Sequence, residues 1–441
     1  MRFNRAVAAL IIGLLIMLHF RPDAHAGYLV KNRIVTNPAT NGQLLPWGTG
    51  RIASYREVSA FLYRTESSGD WLYMYDGSGN ESHIPLPDRF DLNDRANAEY
   101  LLTSPSDLWI WSGVLGRTML RHYQLLKSNN SRLPDKAVRV SVTKVGDEDT
   151  RPGAMLKLSS GGVIAVWYQF EYHPDRRLDI GLVHVGPKGE IKTNYPILAP
   201  GKEGTPVATR WAMAQHPTDG SIWVFFKRDS YHEISVLHLK ETMEGVKLDW
   251  LRTDFIGRKD GIHGPEGEFP YLSALADSVN KTIVLAYQNN RSEIMYASDG
   301  DGNFMNGSCT QGTTLRMEPY FFAKRSLVSI VRITADERKI FQDFPEYVER
   351  TQEFGLSLTH RLWVLYRRID CETTNYEVLQ RQGDVMLSYQ NGEWSTPLIL
   401  GRLDTSKDYY GASLFSSAHE PRFLMRLDDG LLHLLEAEPA P

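Results

Sequence analysis

The sequence predicts an all-β chain folded as a single seven-bladed β-propeller, and three observations carry the prediction. A short strand motif recurs seven times at near-regular intervals. The apolar runs are brief, rich in Val, Ile, Trp and Tyr, and broken every 8 to 12 residues by Gly, Asp or Asn. Most directly, AFLYRTESSGDWLYMYDGSGN near the start aligns with IVLAYQNNRSEIMYASDGDGN about 220 residues later. Each reads strand, polar turn, strand, glycine turn.

Taken in order, the chain opens MRFNR, continues through a 15-residue apolar stretch Ala6–Phe20, and then reads RPDAHA. A basic start, a short apolar stretch and an Ala24-x-Ala26 pattern read as an export signal, residues 1–26. Fifteen residues are too few to span a bilayer comfortably, and no second long apolar run follows, so no membrane span is expected in the mature chain. Residues 27–441 are then one propeller domain, periplasmic or extracellular.

The recurring motif appears as AFLYRT, DLWIWSG, VIAVWYQ, SIWVFFK, TIVLAYQ, RLWVLYRR and RFLMRLDD, at steps of 49 to 79 residues. Four strands per blade fit that step. Preceding strands are legible as AMLKLSS, WAMAQHPTDG, YLSALADSVNK and GASLFSSAHEP, joined to the motif by tight turns. Third strands follow as DIGLVHV, EISVLHL, EIMYAS, DVMLSYQ and LLHLLEA. The last blade runs out of chain after LLHLLEA, so its fourth strand is expected from YLVKNRIV at the N-terminus, which would leave no free edge there. A segment at about 318–354 reads as an insertion between blades, with one helix signal, TADERKIFQ, capped by Thr334 with Glu337 three residues on.

The D-G-x-G-N loops fall between third and fourth strands, as do VGPKGEI, MEGVKL and SYQNGEW. Gly79, Gly189, Gly245, Gly302 and Gly392 are the residues expected to supply positive φ. SDGDGNF and SYQNGEW resemble degenerate Asp-box turns, the Ser-x-Asp-x-Gly-x-x-Trp repeat of the sialidase-like propeller superfamily. Asp301 is displaced by one position, Gln390 replaces the acid and Trp394 comes one residue early. The resemblance implies a sialidase-like fold with these turns on the face away from the active site. It does not extend to chemistry, because the early Arg-Ile-Pro tripeptide of true sialidases is absent. Asp299, Asp301 and Asn303 have the i, i+2, i+4 spacing that opens a calcium loop, but Thr310 stands where a bidentate Glu belongs. A structural turn and a calcium site both remain open, and no other cofactor is expected.

Function in a propeller gathers on the face shared by the connections between second and third strands and between blades. The long connections expected there are the 318–354 segment, RRIDCETTNYEVLQRQ and FEYHPDRR. Second strands end in an aromatic and then a polar residue, placing Arg64, Gln169, Lys227, Gln288 and Arg367 at that rim as candidate ligand-binding groups, joined by Arg210 and Tyr409 from inter-blade segments. Those segments also carry the candidate catalytic groups Asp149, His263, Glu266, Glu268 and Asp408. Acid–base cleavage of a glycosidic bond needs two carboxylates facing each other across it. The competing reading of the strand ends is plain: core aromatics followed by solvated polar residues.

Removing the export segment, with three basic residues and one acid, moves the formal net charge from −4 to −6. That argues against nucleic acid as a partner. No zinc, phosphate-loop or nucleophile-elbow pattern occurs. Cys309 and Cys371 are the only cysteines, and in an oxidising compartment a bridge between them is a possibility set against their expected positions on opposite faces. Two functions follow: binding of a glycan or an exported protein through the loop-rich face, or a glycan-active hydrolase or lyase.

Overall fold

In the computed structural model, the described residues are 28–34, 43–44, 53–55, 58–65, 69–76, 78–88, 90, 98–114, 117–145, 150–169, 180–198, 208–228, 233–256, 272–288, 294–299, 313–316, 328–332, 362–374, 377–391, 393–394, 398–403, 413–416, 421–426 and 432–439, with side chains defined chiefly between Ala53 and Asp299. Among them the chain is all-β and contains no helix. Its strands pair antiparallel into four- and five-stranded sheets arranged as propeller blades.

Sheet 1 holds Ala53–Tyr55, Val58–Thr65, Gly69–Asp76 and Glu81–Pro85, with Gln43–Leu44 pairing beside Tyr63 and Arg64. Sheet 2 runs Ala98–Ser104, Asp107–Val114, Arg117–Leu126 and Lys136–Lys144, and sheet 3 runs Thr150–Lys157, Val163–Gln169, Ile180–Val185 and Ile191–Leu198. Sheet 4 is Ala208–Gln215, Ile222–Arg228, Glu233–Thr242 and Gly245–Ile256, and sheet 5 is Leu272–Asp277, Thr282–Gln288, Ile294–Ser298 and Thr313–Arg316. Sheet 6 is Val328–Arg332, Leu362–Thr374 and Glu377–Asn391, the last pairing with both Glu393–Trp394 and Leu398–Leu403. Sheet 7 is Ser413–Ser416, Pro421–Arg426 and Leu432–Pro439, completed by Tyr28–Ile34 with Tyr28 opposite Pro439 and Ile34 opposite His433.

Each of the seven sequence motifs is the second strand of its sheet. The first strands lie side by side from sheet 1 through sheet 7, and the first strand of sheet 7 lies beside Ala53–Tyr55 of sheet 1. Because the four strands alternate in direction, every sheet has two distinct ends. One is the turn end, with the first-to-second and third-to-fourth connections. The other is the open end, with the second-to-third connections and the crossings between sheets.

Alternation within strands builds the layers between neighbouring sheets. On one face of sheet 3, Ile164, Val166, Tyr168, Ile180 and Leu182 pack against Trp211, Met213, Val224 and Phe226 of sheet 4. The opposite face presents Ala165, Trp167, Val183 and Val185 to Trp109, Trp111 and Leu120 of sheet 2. Burying each such large side chain contributes about 1.5–3 kcal/mol. Gly181 is fixed by this packing, since a Cβ there would meet the Trp167 ring at 2.0 Å.

The turn end is closed by its own hydrogen bonds. In the first D-G-x-G-N loop, Asp76 Oδ1 accepts from the backbone N–H of Ser78 at 3.0 Å and of Asn80 at 2.9 Å, and Oδ2 accepts from Asn80 Nδ2 at 2.8 Å. Gly79, Gly189 and Gly245 have φ of 84°, 83° and 132°, the positive values expected of them; Gly302 and Gly392 lie outside the described residues.

Two expectations about the loops change. Val328–Arg332 falls within the segment read as an insertion and is the first strand of sheet 6, pairing with Leu362–Tyr366. Residues 333–361 lie outside the described residues; in sequence they separate that first strand from the second. The helix signal at Thr334 lies outside the described residues. Likewise, RRIDCETTNYEVLQRQ is not a loop but the far part of a hairpin, Leu362–Thr374 with Glu377–Asn391, with Cys371 paired opposite Gln380. Alternating β-branched and polar residues carry the ladder past Arg367 by seven residues, roughly 20 Å at the strand rise.

Candidate functional site at the open end

The open end is built on buried aromatics. Tyr63, Trp111, Tyr168, Phe226 and Tyr287, one near the open end of each second strand in sheets 1 to 5, are almost completely buried. Tyr168 stacks on Trp211 at 5.5 Å and Trp211 on Phe226 at 5.0 Å, so three rings tie sheets 3 and 4 together. Tyr63 also directs its hydroxyl to His83 Nδ1 at 3.1 Å. For the aromatics, the plain reading of core packing holds.

Fixing the aromatic fixes the backbone position that follows it. Arg64 is paired with Asp70, Gln169 with Thr150, Lys227 with Arg210, Gln288 with Ile294 and Arg367 with Val385. These candidates thus occupy equivalent strand-end positions in sheets 1, 3, 4, 5 and 6. Arg210 and Lys227 stand directly opposite one another in the register of sheet 4. In sheet 2 the equivalent residue is Ser112, whose hydroxyl accepts from Arg121 Nη1 at 2.6 Å.

The crossings between sheets enter the same end. Val145 N donates to Thr118 O at 3.0 Å, and the buried Thr150 hydroxyl, which can donate to Val145 O at 3.1 Å, also lies 3.0 Å from Thr118 Oγ1. Both ends of the short crossing through Asp149 are therefore anchored. Asp149 itself lies outside the described residues, as do His263, Glu266, Glu268, Asp408 and Tyr409. In sequence, His263, Glu266 and Glu268 fall between the last strand of sheet 4 and the first of sheet 5, and Asp408 and Tyr409 between sheets 6 and 7.

Two charged residues near this end escaped the sequence reading. Glu99 is a buried carboxylate one residue into the first strand of sheet 2, opposite Trp111. Arg121 lies over the Phe90 ring at 5.2 Å. Its signal was present: in RTMLRHYQLL it shares the parity of Tyr123 and Leu125, both core residues, and a charge at such a position is a functional or structural mark.

Of the calcium candidates, Asp299 lies at the turn end of sheet 5 with both oxygens engaged. Oδ1 accepts from Ile283 N–H at 2.8 Å, and Oδ2 faces His216 Nε2 at 2.9 Å. Because Thr218 N–H points at His216 Nδ1 from 3.2 Å, Nδ1 is the acceptor and Nε2–H donates to Asp299, linking sheets 4 and 5. Asp301 and Asn303 lie outside the described residues, as does Cys309. Among the described residues no group of three His, Cys, Asp or Glu side chains could hold a metal ion, and no helix is long and apolar enough to cross a membrane.

No protein-family model and no curated protein matches the chain. Solved structures do. An ulvan lyase of a polysaccharide lyase family, bound to a glucuronate and 3-sulfated rhamnose unit, aligns over 91% of this chain and 95% of its own at 9% identity, with a TM-score of 0.50. An oligogalacturonate lyase in complex with manganese covers 94% and 97% at 10% identity and 0.48. The SapL1 lectin in complex with α-methyl fucoside covers 81% and 98% at 11% identity and 0.42. At these identities the likeness is one of fold.

Proposed function

We propose that the chain is an exported, closed seven-bladed propeller that binds an anionic glycan at its open end. Kinship with the sialidase-like superfamily remains part of this reading, supported by the degenerate Asp-box turns. The observation that carries the function is the pairing of Arg210 with Lys227 at a strand end, with Arg64 and Arg367 at equivalent positions in sheets 1 and 6. Paired cationic positions suit carboxylate or sulfate groups spaced along a polymer, and the buried aromatics give them a rigid base. An ulvan lyase of the same general fold holds a chain of that chemistry. Saturable binding of uronate or sulfated polysaccharides, lost in an Arg210→Ala/Lys227→Ala variant, is the test.

A second reading is a glycan-active lyase or hydrolase. It is supported by the sequence expectation that Asp149, His263, Glu266, Glu268 and Asp408 fall in segments between blades. A lyase would need one group to take the proton beside the uronate carboxylate and a cation to stabilise the charge that develops. Ultraviolet absorbance of an unsaturated uronate product, abolished by His263→Ala, would establish a lyase and new reducing ends without that absorbance a hydrolase; neither, with a bound acidic polymer, leaves a binding protein.

A further inference from the structure

We propose that the outer edge of sheet 2, strand Lys136–Lys144, accepts an additional β-strand from an acidic, apolar-alternating segment of a partner protein. Among the described residues this strand ends the sheet, so one row of its backbone N–H and C=O groups has no strand partner. Its exposure is unusual. Val138, Val140 and Val142 are 39%, 55% and 43% exposed, and Leu126 on the adjoining strand is 38% exposed. Across the bulge Val138 and Val142 fall on opposite faces of the strand, so apolar surface flanks the open edge on both sides.

Charge defines the partner. Residues 117–144 contain seven basic residues and one acid, in a chain whose formal net charge is −4. Arg121 and Arg139 are engaged, with Ser112 and Asp88 respectively. Lys127, Arg132, Lys136 and Lys144 are exposed and have no ion-pair partner among the described residues. Lysines on an edge can serve simply to repel other strands. Here they flank the valines rather than replace them, which repels a second copy while admitting an acidic strand. Antiparallel pairing of Lys136–Lys144 with itself, centred on Val140, would set Lys136 against Lys144 at both ends, which is unfavourable.

The edge is also held in shape before anything binds. A bulge between Arg139 and Ser141 turns Arg139 toward Asp88 of sheet 1, which also accepts from Tyr123 at 2.7 Å. The preceding loop is anchored by Asp135 N to Leu126 O at 2.9 Å and Ser82 Oγ to Pro134 O. Strand addition then orders only the partner, which is how main-chain pairing gives affinity and alternate side chains give specificity.

The test uses the full chain and a fluorescein-labelled peptide that alternates Glu with Val and matches the strand in length. Binding is followed by fluorescence anisotropy, with amide hydrogen exchange over 136–144. The expected result is saturable binding with about tenfold slower exchange in that strand, and about tenfold weaker binding for a Val138→Glu/Val142→Glu variant whose melting temperature is unchanged. Equal binding of a Lys–Val peptide overturns the charge argument. Equal binding of an all-Glu peptide without amide protection shows a general polyanion surface and overturns the strand. Concentration-dependent self-association through the same amides, or no binding at all, also refutes the proposal.

Discussion

The two ends of the sheets use the same residue types for different purposes. At the turn end, acids are consumed by the chain itself: Asp76, Asp219, Asp277 and Asp299 each accept backbone N–H groups of their own or a neighbouring turn. At the open end, strand termini carry Arg64, Arg210, Lys227 and Arg367. A carboxylate that closes a turn is unavailable to a ligand. Substitutions at the turn end should therefore cost stability, and substitutions at the open end should cost binding.

The largest effect is expected from Trp223→Ala. Trp223 is buried, donates to Ser221 Oγ at 3.1 Å and packs edge-on against His238 and Trp250. Its removal should lower the unfolding free energy by about 4 kcal/mol in urea titration. Gly181→Ala follows, near the open end but within the scaffold, at about 3 kcal/mol because Trp167 has nowhere to move. If it proves neutral, the packing between sheets 2 and 3 is looser than described.

Asp299→Ala should cost about 2 kcal/mol by leaving Ile283 N–H and His216 without their acceptor, and Asp299→Asn about half that. A calcium-dependent rise in melting temperature lost in both variants would instead mark a metal site.

A pH effect comes next in size. His184 is completely buried and neither ring nitrogen has a hydrogen-bond partner. Burial disfavours its charged form and holds its pKa below the usual 6.5, with Glu241 at 4.0 Å only partly opposing this. The unfolded chain takes up this proton near pH 6.5 and the folded chain does not, so stability is full above that pH and falls as pH drops through it. His238 is shifted the same way, by burial against the opposing pull of Asp249. His184→Leu should flatten the loss of stability below pH 6.5, read as a smaller dependence on pH in urea titrations. Smallest in stability is the Arg210→Ala/Lys227→Ala pair, at about 0.5 kcal/mol or less.

What could be read in the sequence follows from the range of the interactions involved. Strand alternation in VIAVWYQ and the glycine turns at Gly79, Gly189 and Gly245 are local, and both were legible. The pairing of Tyr28–Ile34 with Leu432–Pro439 was legible because the last motif lacked a fourth strand. The place of 333–361 was not, because it depends on Val328–Arg332 pairing with a strand some 30 residues on. Alternation within strands says nothing of how Asp149, His263 and Asp408, far apart in the chain, would group together. Arg121 shares the parity of Tyr123 and Leu125, which was legible; its partner Phe90, 31 residues away in sequence, was not.

The most direct test of the account is equilibrium binding of the full chain to soluble uronate and sulfated polysaccharides, with a neutral glucan as control. Three variants are measured beside it: Arg210→Ala/Lys227→Ala, Asp76→Ala and Lys136→Glu. The account predicts salt-sensitive, saturable binding of the acidic polymers only. That binding should be weakened about tenfold by the Arg210/Lys227 pair and left intact by the other two. Binding that is absent, or that survives the loss of Arg210 and Lys227 unchanged, would contradict it.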